Sequence, residues 1–241
     1  KDQGYLGVGP GTCDEDFLDT LPGDLAARTR AHSMPGPDHL TPDQYLAVMD
    51  DLIVAWRDSE RIEVIYGPAG PPWITDPFFE KIAEAAERHD ALIQTHVSES
   101  FYEKLQGPKF TGQPMLLHLH DIGLTGPRFS IAHGVWLTDA EIAVMAGTGT
   151  AVSHNPSSNL RLHAGIAPLD AFLEAGVTTA LGMDSTTIND DEDMFAEMRL
   201  ALRLASTPTY HEPAPMPADV FRCATEGGAK LLRKDASLGR L

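Results

Sequence analysis

Apolar residues along this chain keep two spacings, and the alternation between them is the main structural signal. Positions recurring every three or four residues predict helix faces, whereas short unbroken apolar runs bounded by turn residues predict buried strands. Thr41-Pro42-Asp43-Gln44 reads as a capping box with Pro at the first helical position. Tyr45, Leu46, Met49, Leu52, Ile53 and Trp56 then form one apolar helical face. A strand is predicted over 61–66, ending in a Gly/Pro-rich loop over 67–73. Asp76-Pro77 opens a helix lined by Phe78, Phe79, Ile82, Ala83 and Ala86. Further strands are predicted over 91–95, 129–132, 150–153 and 178–181. Helices are predicted over 114–122, from the box Thr138-Asp139-Ala140-Glu141 to near Gly147, over 168–175 with Gly176 as stop, over 190–205, and from 217 to near 229.

Strands alternating with helices of this length predict an α/β fold with a parallel sheet and helical crossovers. Five strands are legible, fewer than a complete (β/α)8 TIM-type barrel contains. The expectation is one domain over 1–241, a distorted barrel incomplete at its N-terminal side. Residues 1–40, rich in Gly, Pro and Asp, are expected to be irregular, a remnant of early barrel strands. Gly7-Val8-Gly9-Pro10-Gly11 lacks the spacing and the following helix of a dinucleotide fingerprint and is expected to be a solvated loop.

Charge narrows the partners. With 18 Lys plus Arg against 35 Asp plus Glu, the formal charge of the 241 residues is -17. Such a surface repels phosphate backbones and anionic lipid, which argues against nucleic acid or membrane as partner. The two cysteines, Cys13 and Cys223, are too few for a disulfide framework, so a cytoplasmic setting is expected.

The candidate chemistry sits where strands give way to loops. His96 and Glu99 form an H-x-x-E pair at one strand end; the imidazole can bind a divalent metal and the carboxylate can carry a proton over the same pocket. His133 follows the strand over 129–132, and Asp184 follows the last strand behind the small Gly182. A carboxylate there is costly to bury without a cation or a donor. His154-Asn155-Pro156-Ser157-Ser158-Asn159 is expected to be mainly a structural loop, with His154 a candidate pocket residue. The acidic run Asp190-Asp191-Glu192-Asp193 suits a helix start. His118-Leu119-His120 mimics a metal-binding pair but falls in a predicted helix, where positions two apart point about 200° round the axis.

In order, Thr95-His96-Val97-Ser98-Glu99, Ala132-His133-Gly134-Val135-Trp136-Leu137, the run from Ser153 through Asn159 to Leu162, and Gly182-Met183-Asp184 resemble the amidohydrolase superfamily, in its deaminase and chlorohydrolase branch. Glu197-Met198-Arg199-Leu200-Ala201 is similar to the same branch. The resemblance implies a distorted barrel with a small accessory β-sandwich made from both chain ends. It also implies one divalent ion, zinc or alternatively iron, held by a first-strand H-x-H, a fifth-strand His and an eighth-strand Asp. By position, His96 and Asp184 correspond to two of those metal ligands, Glu99 to the proton shuttle, and His133 to the His that contacts water or substrate. Glu99, His133 and Asp184 are thus the expected catalytic residues, with Trp73 and His154 as substrate contacts. The first-strand H-x-H is missing here, the chain stops at Leu241 where the family continues into its sandwich, and both ends are therefore expected to be cut. Where the branch often carries a His after the fourth strand, this chain offers Trp73, and Ser185 replaces a more usual Gly. The implied activity is metal-dependent hydrolysis of a C–N bond, deaminating a purine-, pyrimidine- or triazine-like ring, with a homodimer as the expected assembly. A chlorohydrolase, or a barrel kept as a non-catalytic binding module, are the alternatives.

Overall fold

The structure is a computed structural model that describes residues 19–33, 40–185, 192–206 and 214–240. The chain divides into two compact units, Lys1–Ile93 and Gln94–Leu241.

Within the first unit, the expected irregular opening contains a helix, α1 (Gly23–Ser33), while the Gly7–Gly11 cluster and Cys13 lie outside the described residues. Helix α2 (Pro42–Trp56) begins at the predicted capping box, with Thr41 Oγ1 accepting from Gln44 N at 3.2 Å and Gln44 Oε1 accepting from Thr41 N at 2.9 Å. Of its predicted apolar face only Ile53 is buried; Leu52 and Trp56 are exposed. A 3₁₀ turn (Pro71–Trp73) precedes α3 (Asp76–His89), which buries Phe78, Phe79, Ile82, Ala85 and Ala86. The strand predicted over 61–66 is not one. It reduces to a single parallel bridge, Tyr66 with Ile93, because Ile62 and Glu63 face solvent and offer no buried face to a sheet. Tyr66 itself is fully buried, its hydroxyl donating to Asp50 Oδ1 at 2.9 Å.

The second unit is built on four strands in the order β1 (Ile93–Val97, whose first residue closes the first unit), β2 (Phe129–His133), β3 (Ala151–His154) and β4 (Thr179–Leu181). β2, β3 and β4 pair in parallel, with Ser130 opposite Ala151 and Val152 opposite Thr179. Parallel neighbours in sequence order form an arc of a barrel, not a closed one, among the described residues. After β1 come α4 (Phe101–Thr111) and α5 (Met115–Asp121); α6 (Asp139–Thr148) follows β2; α7 (Pro156–Arg161) and α8 (Leu169–Glu174) follow β3. Past β4 lie α9 (Met194–Ala205), α10 (Pro217–Arg222), a π turn (Cys223–Gly227) and α11 (Gly228–Leu231). Leu169, Leu181, Ala201, Val220 and Cys223 form a core cluster between β4 and these helices.

Several elements correct the sequence reading. Helix α4 was not predicted, since Gly107-Pro108 interrupts its pattern; it is started by the Ser100 cap and ended by Gly112 in the left-handed conformation, and Gly107 is buried beside Met115, where an added Cβ would meet ordinary van der Waals contact at 3.5 Å. Helix α6 passes Gly147 and stops at Gly149, which adopts the left-handed conformation (φ 79°). The expected loop over 155–159 is largely helix α7, started by Pro156. The start predicted at Asp190 lies outside the described residues, and Asp193 caps α9 by accepting from Phe195 N and Ala196 N. The terminal helix is interrupted by the π turn, where Gly227 presses against the backbone of Thr179. His118 and His120 lie on α5 as predicted, either side of the buried Leu119. Among the described residues, no helix is long and apolar enough to cross a membrane.

Candidate metal and proton-transfer site

The ends of β1, β2 and β4 bring three side chains together. One ligand-capable atom each from His96, His133 and Asp184 lies within 4.8 Å of the others. The imidazoles of His96 and His133 stack with centroids 5.3 Å apart and planes 20° apart. Glu99 Oε2 is 3.8 Å from His133 Nε2. His96, Glu99, His133 and Asp184 are thus neighbours, although they come from three strand ends.

The backbone at these ends is unusual. Ser98, His133 and Asp184 all have positive φ, at 53°, 72° and 67°. Gly134 N donates to Ala132 O at 3.1 Å around His133, and Ser185 N donates to Met183 O at 2.9 Å around Asp184. Each is therefore a γ-turn of the rare, positive-φ kind. Non-glycine residues in such conformations cost on the order of 1–3 kcal/mol and persist where the surroundings over-determine them. Both turns project a side chain off the strand end that an extended continuation would aim elsewhere.

Neighbouring groups fix the two projected side chains. His133 is buried, and its Nδ1 lies 2.8 Å from Asn159 Oδ1. With the amide oxygen accepting, Nδ1 carries the proton and Nε2, the atom facing Glu99, holds the lone pair. Ser158 Oγ donates to Asp184 Oδ2 at 2.6 Å. That carboxylate is exposed. Helix α7 supplies both Ser158 and Asn159, so one short helix steadies the β2 and β4 residues together. The α7 start is held in turn by the buried Glu197 of α9, which accepts from Ser157 N at 3.3 Å and from Ser157 Oγ. A carboxylate suits that place, where the helix dipole and unpaired N–H groups attract negative charge.

His154, at the end of β3, is buried, and its Nδ1 has no hydrogen-bond partner among the described residues. Burial, with the charge of His133 as a lesser cause, pushes its pKa down to about 4, so the ring is neutral near pH 7. Trp73 belongs to the first unit, half-buried at the end of the 3₁₀ turn, and is described there alone.

Residues 21–241 match the Amidohydrolase family. The chain belongs to the amidohydrolase family. It is 37% identical over 205 residues to a 5-methylthioadenosine/S-adenosylhomocysteine deaminase of Thermococcus kodakarensis, covering 84% of this chain and 48% of that protein. A solved adenosine deaminase from Xanthomonas campestris with bound zinc is 33% identical, with a TM-score of 0.81 over 86% of this chain and 47% of that one. A solved triazine hydrolase variant is 26% identical, with a TM-score of 0.78 over 84% and 45%. The chain therefore spans about half the length of the curated relatives it matches. Family membership, with neighbours of this likeness, accounts for the parallel sheet as part of an amidohydrolase barrel.

Sequence reasoning missed the supporting residues. Ser158, Asn159 and Glu197 were read as turn formers and a family-like helix, since nothing local to their sequence says which distant side chain they meet. Gly182 matters for space: a Cβ there would come within 2.5 Å of Asn155 Oδ1 and 2.8 Å of Ser153 Oγ. Glu103 also went unnoticed, though Ser100 and Glu103 carry the S-x-x-E spacing that announces a helix start.

Proposed function

We propose that the protein to which this chain belongs is a metal-dependent hydrolase of non-peptide C–N bonds, deaminating an amino-bearing purine-, pyrimidine- or triazine-like ring. The observation that carries this reading is the convergence of His96, His133 and Asp184 within 4.8 Å, with Glu99 beside them. The His96 imidazole and the Asp184 carboxylate are donors that suit zinc, with iron as the alternative, their spacing is close to what two bonds of roughly 2 Å bridge, and the His133 ring stands beside them. The hydrogen bond that Ser158 donates to Asp184 is the outer support that metal-binding carboxylates generally have, and Asn159, accepting from His133, fixes the neighbouring imidazole in the same way. Held by His96 and Asp184, a divalent cation would supply Lewis-acid polarisation, bringing the pKa of water toward about 7.

The chain's own residues do the rest. Glu99 takes a proton from the attacking water and delivers it to a ring nitrogen. His133, with its Nδ1 proton committed to Asn159, has its Nε2 lone pair left to accept from the attacking water and so orients the nucleophile beside Glu99. Asp184 aligns the same water, takes the remaining proton of the added hydroxyl and passes it to the amine, which departs as ammonia. His154 meets the ring as a neutral group. Likeness to two adenosine-type deaminases supports an adenosine-like ring as substrate. Likeness to a triazine hydrolase supports a second reading, displacement of chloride from an aromatic ring.

The complete gene product, loaded with zinc, is to be assayed for ammonia from adenosine and 5-methylthioadenosine and for chloride from a chlorotriazine. Glu99→Gln is expected to lower ammonia release by about 10²–10⁴-fold, the usual range for a lost proton-transfer group. Undiminished release would defeat the role given to Glu99. Chloride without ammonia would select the second reading, and neither product from a zinc-loaded protein would leave a binding module.

A further inference from the structure

Glu103 is held in a way its helix position does not require. As the third residue of α4, behind the cap Ser100, its carboxylate would ordinarily reach back to the backbone N–H of Ser100. Instead it reaches further: Oε1 accepts from Ser98 N at 2.7 Å and Oε2 from Glu99 N at 2.9 Å. Meanwhile Ser100 Oγ accepts from Glu103 N at 3.2 Å, so side chain and backbone of Glu103 are both engaged. Ser98 has φ 53°, and two successive N–H groups that converge beside a left-handed residue form a concavity that grips an anion. Here the anion is this chain's own carboxylate.

We propose that Glu103 is a positioning residue for Glu99, its two oxygens clamping the N–H groups of Ser98 and Glu99 so that the turn after β1 holds the Glu99 side chain beside His133. The proposal rests on the functional reading of Glu99 given above. Three features support it. Both clamped amides belong to the segment between His96 and Glu99, so losing the clamp frees the torsions that aim the Glu99 carboxylate. The same turn is tied to the end of β2, where Ser98 O accepts from Trp136 N at 2.9 Å and Val97 O from Gly134 N at 3.2 Å. Glu103 is therefore the element that joins the shuttle's backbone to α4, while those bonds join it to β2. Finally, a small cavity of about 100 Å³, lined by Ser98, Glu103, Lys104, Trp136, Thr138 and Glu141 among others, lies beside the clamp. Burial raises the carboxyl of Glu103 to about 7, with the two N–H bonds pulling it the other way and the Glu99 charge adding to the rise. The cavity's other carboxylate, the buried Glu141, does different work: it accepts from Leu116 N at 3.0 Å and Thr138 N at 2.8 Å, capping α5 and α6.

That contrast supplies the control. In the zinc-loaded complete protein, Glu103→Gln keeps one acceptor and Glu103→Ala keeps none. kcat for ammonia release is expected to fall by about tenfold in the first and about 100-fold in the second, with KM within about twofold, because misplacing a reacting group by about 1 Å costs on that order. In a Glu99→Gln background, Glu103→Gln is expected to cost nothing further, since its effect runs through Glu99. Glu141→Gln is expected to lower the melting temperature while leaving kcat per folded molecule unchanged. Hydrogen exchange at the Ser98 and Glu99 amides should quicken in Glu103→Gln and Glu103→Ala, and not in Glu141→Gln. A kcat within twofold of wild type in folded Glu103→Ala overturns the proposal, as does a further loss in the double variant. Should the wild type release neither ammonia nor chloride, the functional reading falls. Exchange at Ser98 and Glu99 then judges the clamp alone, and rates equal to wild type in Glu103→Gln overturn it.

Discussion

Gly227→Ala tests how closely the C-terminal π turn sets the position of β4 and, through it, of Asp184. A Cβ on Gly227 would lie 3.0 Å from the carbonyl carbon of Thr179, closer still to its oxygen, and 3.4 Å from Ala180 Cα. All three are backbone atoms of β4, so no side-chain rotation relieves the contact. Either the π turn lifts or β4 shifts toward β3. Overpacking of this kind costs about 3 kcal/mol, the upper part of the range for added methylenes in tight cores. At about 2–4 °C per kcal/mol for a chain of this size, the melting temperature should fall by about 6–12 °C. Asp184 lies three residues past the end of β4, so zinc affinity, read by competition with a chelator, should fall with it. Gly228→Ala is the matched control: its Cβ would meet nothing within 4 Å, and its φ of -60° and ψ of -43° are ordinary helix. That change should be neutral or stabilising by about 0.5–1 kcal/mol, since glycine is a poor helix residue. Equal melting temperatures for the two variants would refute the reasoning.

Removing the Ser158 hydroxyl (Ser158→Ala) should weaken zinc binding by about 10–100-fold, the common penalty for losing a hydrogen bond to a metal-binding carboxylate, with little change in melting temperature of the metal-free protein. Unchanged affinity by chelator competition would remove Ser158 from the site. His154→Leu should flatten the acid side of the stability profile. With a pKa near 4 in the folded state against about 6.5 unfolded, His154 gives full stability above about 6.5 and loses it as pH falls toward 4, by about 3 kcal/mol in all. Denaturant curves for wild type and variant that stay parallel from pH 7 to 4 would show that His154 does not carry the charge change.

How much of this was legible from residues alone depends on how local each determinant is. Chain-local chemistry was enough for the capping boxes at Thr41 and Thr138, the apolar runs of β1 to β4, and the order of His96, Glu99, His133 and Asp184, because spacing and cap residues act within one turn or strand. It failed at the run over 61–66, where apolar content predicted a strand that solvent exposure of Ile62 denies, and at α4, where Gly107-Pro108 hid a helix that Ser100 starts and Gly112 ends. Only the folded backbone decided that His96, His133 and Asp184 meet within 4.8 Å, that γ-turns project two of them, and that Ser158, Asn159 and Glu103 hold them and their neighbours in place. Those contacts join residues 26 positions apart along the chain in the cases of Asn159 with His133 and Ser158 with Asp184. A sequence pattern reports which side chains can act; a parallel sheet, by laying distant strand ends side by side, determines which of them do so together.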